Sequence, residues 1–170
     1  MAKTASDLPR DSGLFKRLHY RIGRLSVIVS NLTRPRLSLG VRVAAFDRQG
    51  RVFLVRHSYV PGYYLPGGGV EARETCLEAA VREAQEEGAL IFERPPSLYH
   101  IYRNQGFGLR DHVVLFVARN VSLSEEPHQP NNEIVEAGFY PLTSLPEDTT
   151  QATLARIAEI QDGSPRSDDW

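Results

Sequence analysis

The chain has 170 residues, 41% of them apolar, 24% charged and 9% aromatic, and Lys+Arg 20 against Asp+Glu 21 leave a formal net charge of −1. That length suits one domain with a sizeable core, and the composition excludes collagen-like, low-complexity and disulfide-dense classes. A single cysteine, Cys76, cannot form an internal disulfide, so a reducing cytoplasm is the expected compartment.

The charge is unevenly spread. Residues 1–36 hold eight basic side chains against Asp7 and Asp11, a net of +6, and the remainder carries −7. Such a basic head suits a membrane surface or a nucleic acid. Leu25–Leu32 is too short for a secretory signal and is interrupted by Ser26, Ser30 and Asn31. It is also too short to span a bilayer, which takes about 20 apolar residues.

Met1–Gly13, broken by Pro9 and Gly13, predicts no regular element. Leu14, Phe15, Leu18, Ile22, Leu25, Ile28, Val29 and Leu32 then recur at helical spacing, with Lys16, Arg17, Arg21 and Arg24 between them. The pattern predicts an amphipathic helix that stops before Arg34-Pro35, because proline disfavours helix in the residue ahead of it. Packing on the domain or on a second subunit, as a homodimer, is the plainer expectation; a membrane or RNA contact is the alternative.

From Leu37 the texture is that of strands. Leu37–Phe46 and Val52–His57 are apolar and rich in branched residues, and Asp47-Arg48-Gln49-Gly50 between them is a hairpin signal. Tyr63–Leu65 is a short extended piece running into Pro66 and three glycines, and Thr75–Glu87 reads as a helix. Leu98–Arg103 and His112–Ala118 predict two strands, Ser122–Asn132 a loop, Ile134–Tyr140 a strand and Thr153–Ile160 a closing helix. Residues 162–170, with Gly163, Pro165 and Asp168-Asp169, read as a flexible tail. Strands, a helix, strands and a helix in that order indicate an α+β domain over residues 37–161 behind a basic extension.

The chemistry concentrates in the helix at Thr75. Thr75 and Glu78 can form a capping box, and Leu77, Val81 and Ala84 make an apolar stripe expected to face the core. Glu83, Glu86 and Glu87, at i, i+3 and i+4, put three carboxylates on a neighbouring patch. Like charges so spaced repel by a few tenths of a kcal/mol per pair, so a solvated acidic face is the ordinary explanation unless a cation sits there. Oxygen ligands on a rigid helix suit Mg²⁺, which keeps waters that a phosphate can displace. Glu74 at the helix entrance can add an oxygen or hold Arg82, and Arg82 can neutralise and orient one of the glutamates. The glycines let backbone approach a ligand closely.

Gly68, five residues, Glu74, seven residues, Arg82-Glu83, two residues, Glu86-Glu87 is the spacing of the Nudix box. Six set letters coincide by chance on the order of once in 10⁷ start positions. The sequence therefore resembles the Nudix hydrolase family. The lead-in Tyr64-Leu65-Pro66-Gly67-Gly68-Gly69 and the late segment Glu133–Phe139 extend the likeness to about Leu37–Ile160. Two positions depart from the family pattern: Ala89 stands where the box usually closes with Gly, with Gly88 next door as a candidate for the turn, and Arg73 occupies a position often held by Gly.

The resemblance implies a Nudix fold, a mixed β-sheet between helices. It further implies Mg²⁺-dependent hydrolysis, with Mn²⁺ as a substitute, of a nucleoside diphosphate linked to another moiety. Such substrates are NDP-sugars, ADP-ribose, dinucleoside polyphosphates and NTPs. Glu83, Glu86 and Glu87, with the Gly68 carbonyl, are the implied metal ligands, and Arg82 the orienting residue. Glu87 and Glu133 are alternative general bases. For substrate, Arg56, Tyr64, Glu74 and Arg103 are the candidates, with Arg110 a further phosphate grip and Tyr59, Tyr63 and Phe107 further stacking rings. No ADP-ribose-type proline lies near Gly106, no coenzyme A pattern precedes Leu65, and the five histidines have no zinc-ligand spacing. The alternatives are a catalytically silent Nudix-like nucleotide or RNA-binding module and a hydrolase of RNA 5′ ends; the intact set of Glu and Arg favours the enzyme.

Overall fold

The computed structural model describes residues 37–104, 110–125, 133–165 and 167–170. The expected amphipathic helix at Leu14–Leu32 and its dimer role, Phe107, the Arg110 side chain and loop residues 126–132 lie outside this set. Among the described residues, eight strands and two helices follow in the order β1 (Leu37–Ala45), β2 (Val52–His57), β3 (Tyr63–Tyr64), α1 (Cys76–Gly88), β4 (Leu90–Ile91), β5 (Ser97–Asn104), β6 (Arg110–Ala118), β7 (Ser122–Leu123), β8 (Ile134–Tyr140) and α2 (Gln151–Asp162). No helix among the described residues is long and apolar enough to cross a membrane.

β1 pairs in parallel with β6, and β6 antiparallel with β5. A second sheet runs β3-β2-β8, and the short β4 and β7 pair with each other. Side chains that alternate along β1 and β2 feed two cores, as a sheet covered on both faces requires. Val41, Val43, Ala45, Phe53 and Val55 pack with Ala79, Ala80 and Ala84 of α1. Ala44, Phe46, Val52 and Leu54 pack with Ile157 and Ile160 of α2 on the other side. The α+β expectation of a mixed sheet between helices is met, and the carboxylate helix belongs to the first side alone.

Three expectations are revised. The Asp47–Gly50 turn forms, with the Asp47 carboxylate accepting the Gln49 and Arg51 N–H groups, but β1 and β2 are joined only at the Phe46–Val52 bridge. They leave the turn into different sheets, because each finds a longer partner far along the chain. On α1 the buried residues are Ala79, Ala80, Ala84, Glu87 and Gly88, whereas Leu77 is 37% exposed. Small residues let the helix lie close to the sheet, and the larger Leu77 and Val81 turn outward beside Phe92, Pro95 and Pro96. The supposed tail is docked: Trp170 packs on the second core and pairs with Tyr102 at 5.5 Å between ring centroids. Asp169 receives Arg103 at 2.7 Å through its carboxylate and Arg156 at 2.8 Å through its carbonyl.

Candidate active site

The glycine loop is laid on β1 by backbone pairing. Val43 N–H donates to Pro66 O, Val41 N–H to Gly68 O and Val70 N–H to Leu39 O, at 2.9, 2.9 and 3.0 Å. At Gly67, with φ +146°, a Cβ would run into the Val41 carbonyl, and one at Gly68 would run into the Glu83 carboxylate. At Gly67, where the clash is with backbone, only glycine permits this approach; at Gly68 the Glu83 side chain would have to move aside. From inside β1, Arg42 directs Nη1 to the Leu65 and Gly67 carbonyls at 2.9 and 2.7 Å. The Gly68 carbonyl named as a metal ligand thus already accepts one backbone hydrogen bond, and a carbonyl oxygen keeps a second lone pair.

The capping box at Thr75 forms as expected and starts α1 in register with that loop. Arg82 is the hub of the polar face. It reaches Glu74 at 2.8 and 3.2 Å, Glu83 at 2.8 Å, Glu86 at 3.1 Å and the Gly69 carbonyl at 3.1 Å. These acceptors hold the guanidinium well above its ordinary pKa. Glu74 is drawn below the carboxylate range by Arg82 first and then by the Glu71 N–H, so it braces Arg82 and the loop. Arg82 also draws Glu83 and Glu86 toward itself. Among the described residues, no three acidic, His or Cys side chains converge into a ready cage.

Glu87 is different in kind. It is 7% exposed and accepts the Gly67 N–H at 2.8 Å. Burial pushes its carboxyl up to about 7; the Gly67 N–H and Arg42 oppose this, and the charges of Glu83 and Glu133 add to it. Beside it lies His57, also 7% exposed, with Nε2 at 3.6 Å from Glu87 Oε1. Burial, then Arg42, holds His57 below its ordinary pKa, against Glu133. It is mainly neutral near pH 7 and gives Glu87 no full counter-charge.

Glu133 joins this group from the start of β8. Its carbonyl accepts the Ser58 N–H at 2.8 Å, and its carboxylate accepts the Tyr59 hydroxyl at 3.3 Å. Tyr64 stands on the same side, 6.0 Å from the His57 ring, with its hydroxyl on the Pro61 carbonyl. Arg56 does not join. It points to the α2 side, where it pairs with Glu136 at 3.2 Å and lies over Tyr63. Arg103 is held by Asp169 at the edge of β5. Arg42 and His57 are the site residues that motif reading passed over, whereas Tyr59 was among the stacking rings it named; the available signal was a cation or imidazole inside an otherwise apolar strand.

A loop pressed against a strand, a helix of carboxylates and a braced arginine make up the site. The family model described as NUDIX domain matches residues 36–159. An ADP-ribose pyrophosphatase of Methanocaldococcus jannaschii is 32% identical over 123 residues, 69% of this chain and 72% of that protein. The 8-oxo-dGDP phosphatase NUDT18 of Mus musculus is 30% identical over 99 residues, 58% of this chain but only 29% of the mouse protein. Among solved structures, a MutT NUDIX hydrolase from Burkholderia pseudomallei has a TM-score of 0.60 at 28% identity, over 74% of this chain and 98% of that one. The chain belongs to the Nudix family.

Proposed function

We propose that this chain is a divalent-cation-dependent pyrophosphohydrolase of nucleoside diphosphates linked to another moiety, with Mg²⁺ as its ion and Mn²⁺ as substitute. The observation that carries the reading is Glu87. Its carboxylate is buried, and burial first, then the charges of Glu83 and Glu133, raises its pKa against the opposing Gly67 N–H and Arg42. An oxygen-only donor set fits a hard divalent ion. Glu83, Glu86 and Glu87 would hold it, with a backbone carbonyl of the glycine loop. Bound there, such an ion neutralises phosphoryl oxygens and lowers the pKa of a coordinated water.

The chain's own residues do the rest. Arg82 holds Glu83 and Glu86 on one face of α1, and Glu74 holds Arg82. Gly67 N–H aims Glu87. The proton of the attacking water passes to Glu87 or Glu133, and comparison of Glu87→Gln with Glu133→Gln separates them. The similarity to proteins named for ADP-ribose and 8-oxo-dGDP makes these two compounds the first to test. A screen of them beside NDP-sugars, dinucleoside polyphosphates, (d)NTPs and 5′-triphosphate RNA, with Mg²⁺ and with Mn²⁺, should release a nucleoside monophosphate from a small nucleotide. EDTA should abolish this release. Silence with every compound would favour a nucleotide-binding module.

A further inference from the structure

Of the aromatic rings considered for stacking, Tyr63 is buried and Tyr64 half-buried. Tyr59 is 69% exposed, the largest exposure of any large apolar or aromatic side chain among the described residues. An open aromatic ring at the mouth of a polar site needs a reason. This one is also built in place. Its inner side rests on the His57 ring, with centroids 5.1 Å apart and planes tilted by 37°. Its hydroxyl is tied to Glu133 Oε1 at 3.3 Å. The supporting His57 in turn sits 3.6 Å from the Glu87 carboxylate. A planar surface held at both ends, open on its outer side and adjacent to the carboxylate cluster, is ready for another flat ring at little ordering cost.

We propose that Tyr59 is the platform on which the substrate's nucleobase stacks, with His57 as its backing. The inference rests on the nucleotide-hydrolase reading above and adds where the base is held. A nucleotide is short enough that a base on Tyr59 leaves its phosphates beside Glu87. Stacking on a tyrosine face accepts any base, because every base offers a π-surface. The platform therefore supplies binding to nucleotides as a class and discriminates against phosphosugars that carry no base.

The test is calorimetric titration of the full chain, with Mg²⁺, by AMP, GMP, UMP and ribose 5-phosphate. None of these contains a diphosphate, so binding is read without turnover. Tyr59→Ala should weaken all three nucleotides by roughly tenfold or more, and leave ribose 5-phosphate within about twofold of the wild type. Tyr59→Phe keeps the ring and should stay within about threefold for the nucleotides. The exposure of Tyr59 lets both variants fold, which melting curves check. Unchanged AMP binding in Tyr59→Ala overturns the platform, as does an equal loss for ribose 5-phosphate. A wild type that binds the nucleotides no better than ribose 5-phosphate overturns it too. The two readings fail separately: Tyr59-dependent nucleotide binding without hydrolysis sinks only the enzyme, and hydrolysis with unaltered Tyr59→Ala binding sinks only the platform.

Discussion

Glu87 combines two demands in one side chain. A carboxylate buried beneath a glycine loop destabilises the metal-free fold, yet the same placement puts charge where a cation can meet it. The unfolded chain loses this proton near 4.5, and the folded chain keeps it to about 7. The folded state thus binds more protons between those values, so stability falls as pH rises through that window and levels off above it. Glu87→Gln keeps an oxygen to accept the Gly67 N–H and removes the charge. It should stabilise the metal-free protein at pH 8 by roughly 2–3 kcal/mol, with little gain at pH 4, read by urea unfolding. The same variant should lower turnover by about 10²-fold or more. A variant as active as the wild type would remove Glu87 from the mechanism.

At the scale of elements, α1 divides its surface among three tasks. Alanines and Gly88 pack on the sheet, the glutamates and Arg82 face the glycine loop, and Leu77 and Val81 border an apolar groove with Phe92. Gly88 is helical, and a Cβ there would strike the Phe53 ring; it does not make the closing turn. Ala89 makes it, in the left-handed region at φ 50°. Arg73, in the loop before the helix, is also left-handed at φ 79°. Both departures from the family's glycine pattern therefore fall where a side chain is strained. Relief of that strain exceeds the entropy lost to a freer unfolded chain, so Ala89→Gly and Arg73→Gly should each stabilise by about 0.5–1 kcal/mol in equilibrium unfolding. Destabilisation by either would show that local contacts outweigh the backbone strain.

For the molecule as a whole, the sheet separates reaction from reinforcement. Opposite the carboxylate helix, the Arg156–Glu159 pair is almost fully buried at 2.9 Å, and Tyr102 donates to Glu159 at 2.7 Å. Arg156 also lies over Tyr102 at 4.2 Å and Trp170 at 5.6 Å. Paired charges of this kind are held by geometry, and losing a neighbour exposes them. Trp170→Ala should therefore lower unfolding free energy by about 2 kcal/mol. Turnover at 25 °C should be retained, since the residue lies on the α2 side. Loss of activity without loss of stability would show that this side communicates with the site.

The box spacing, the capping of α1 and the alternation of the strands were legible in the chain, because each is written within a few consecutive residues. So were Arg82 and the glutamates, which share one helix. The tertiary structure alone decided that β1 and β2 leave their turn for different sheets, that Arg56 points away while His57 points in, and that residues 167–170 are held. It also gathered Arg42 of β1, His57 of β2, Tyr59 of the loop after β2 and Glu133 just before β8 around Glu87. The β2–β8 register, which sets His57 opposite Ile134, depends on pairing between segments some eighty positions apart. Local periodicity carries no information about such a partner; only burial of both cores at once selects it.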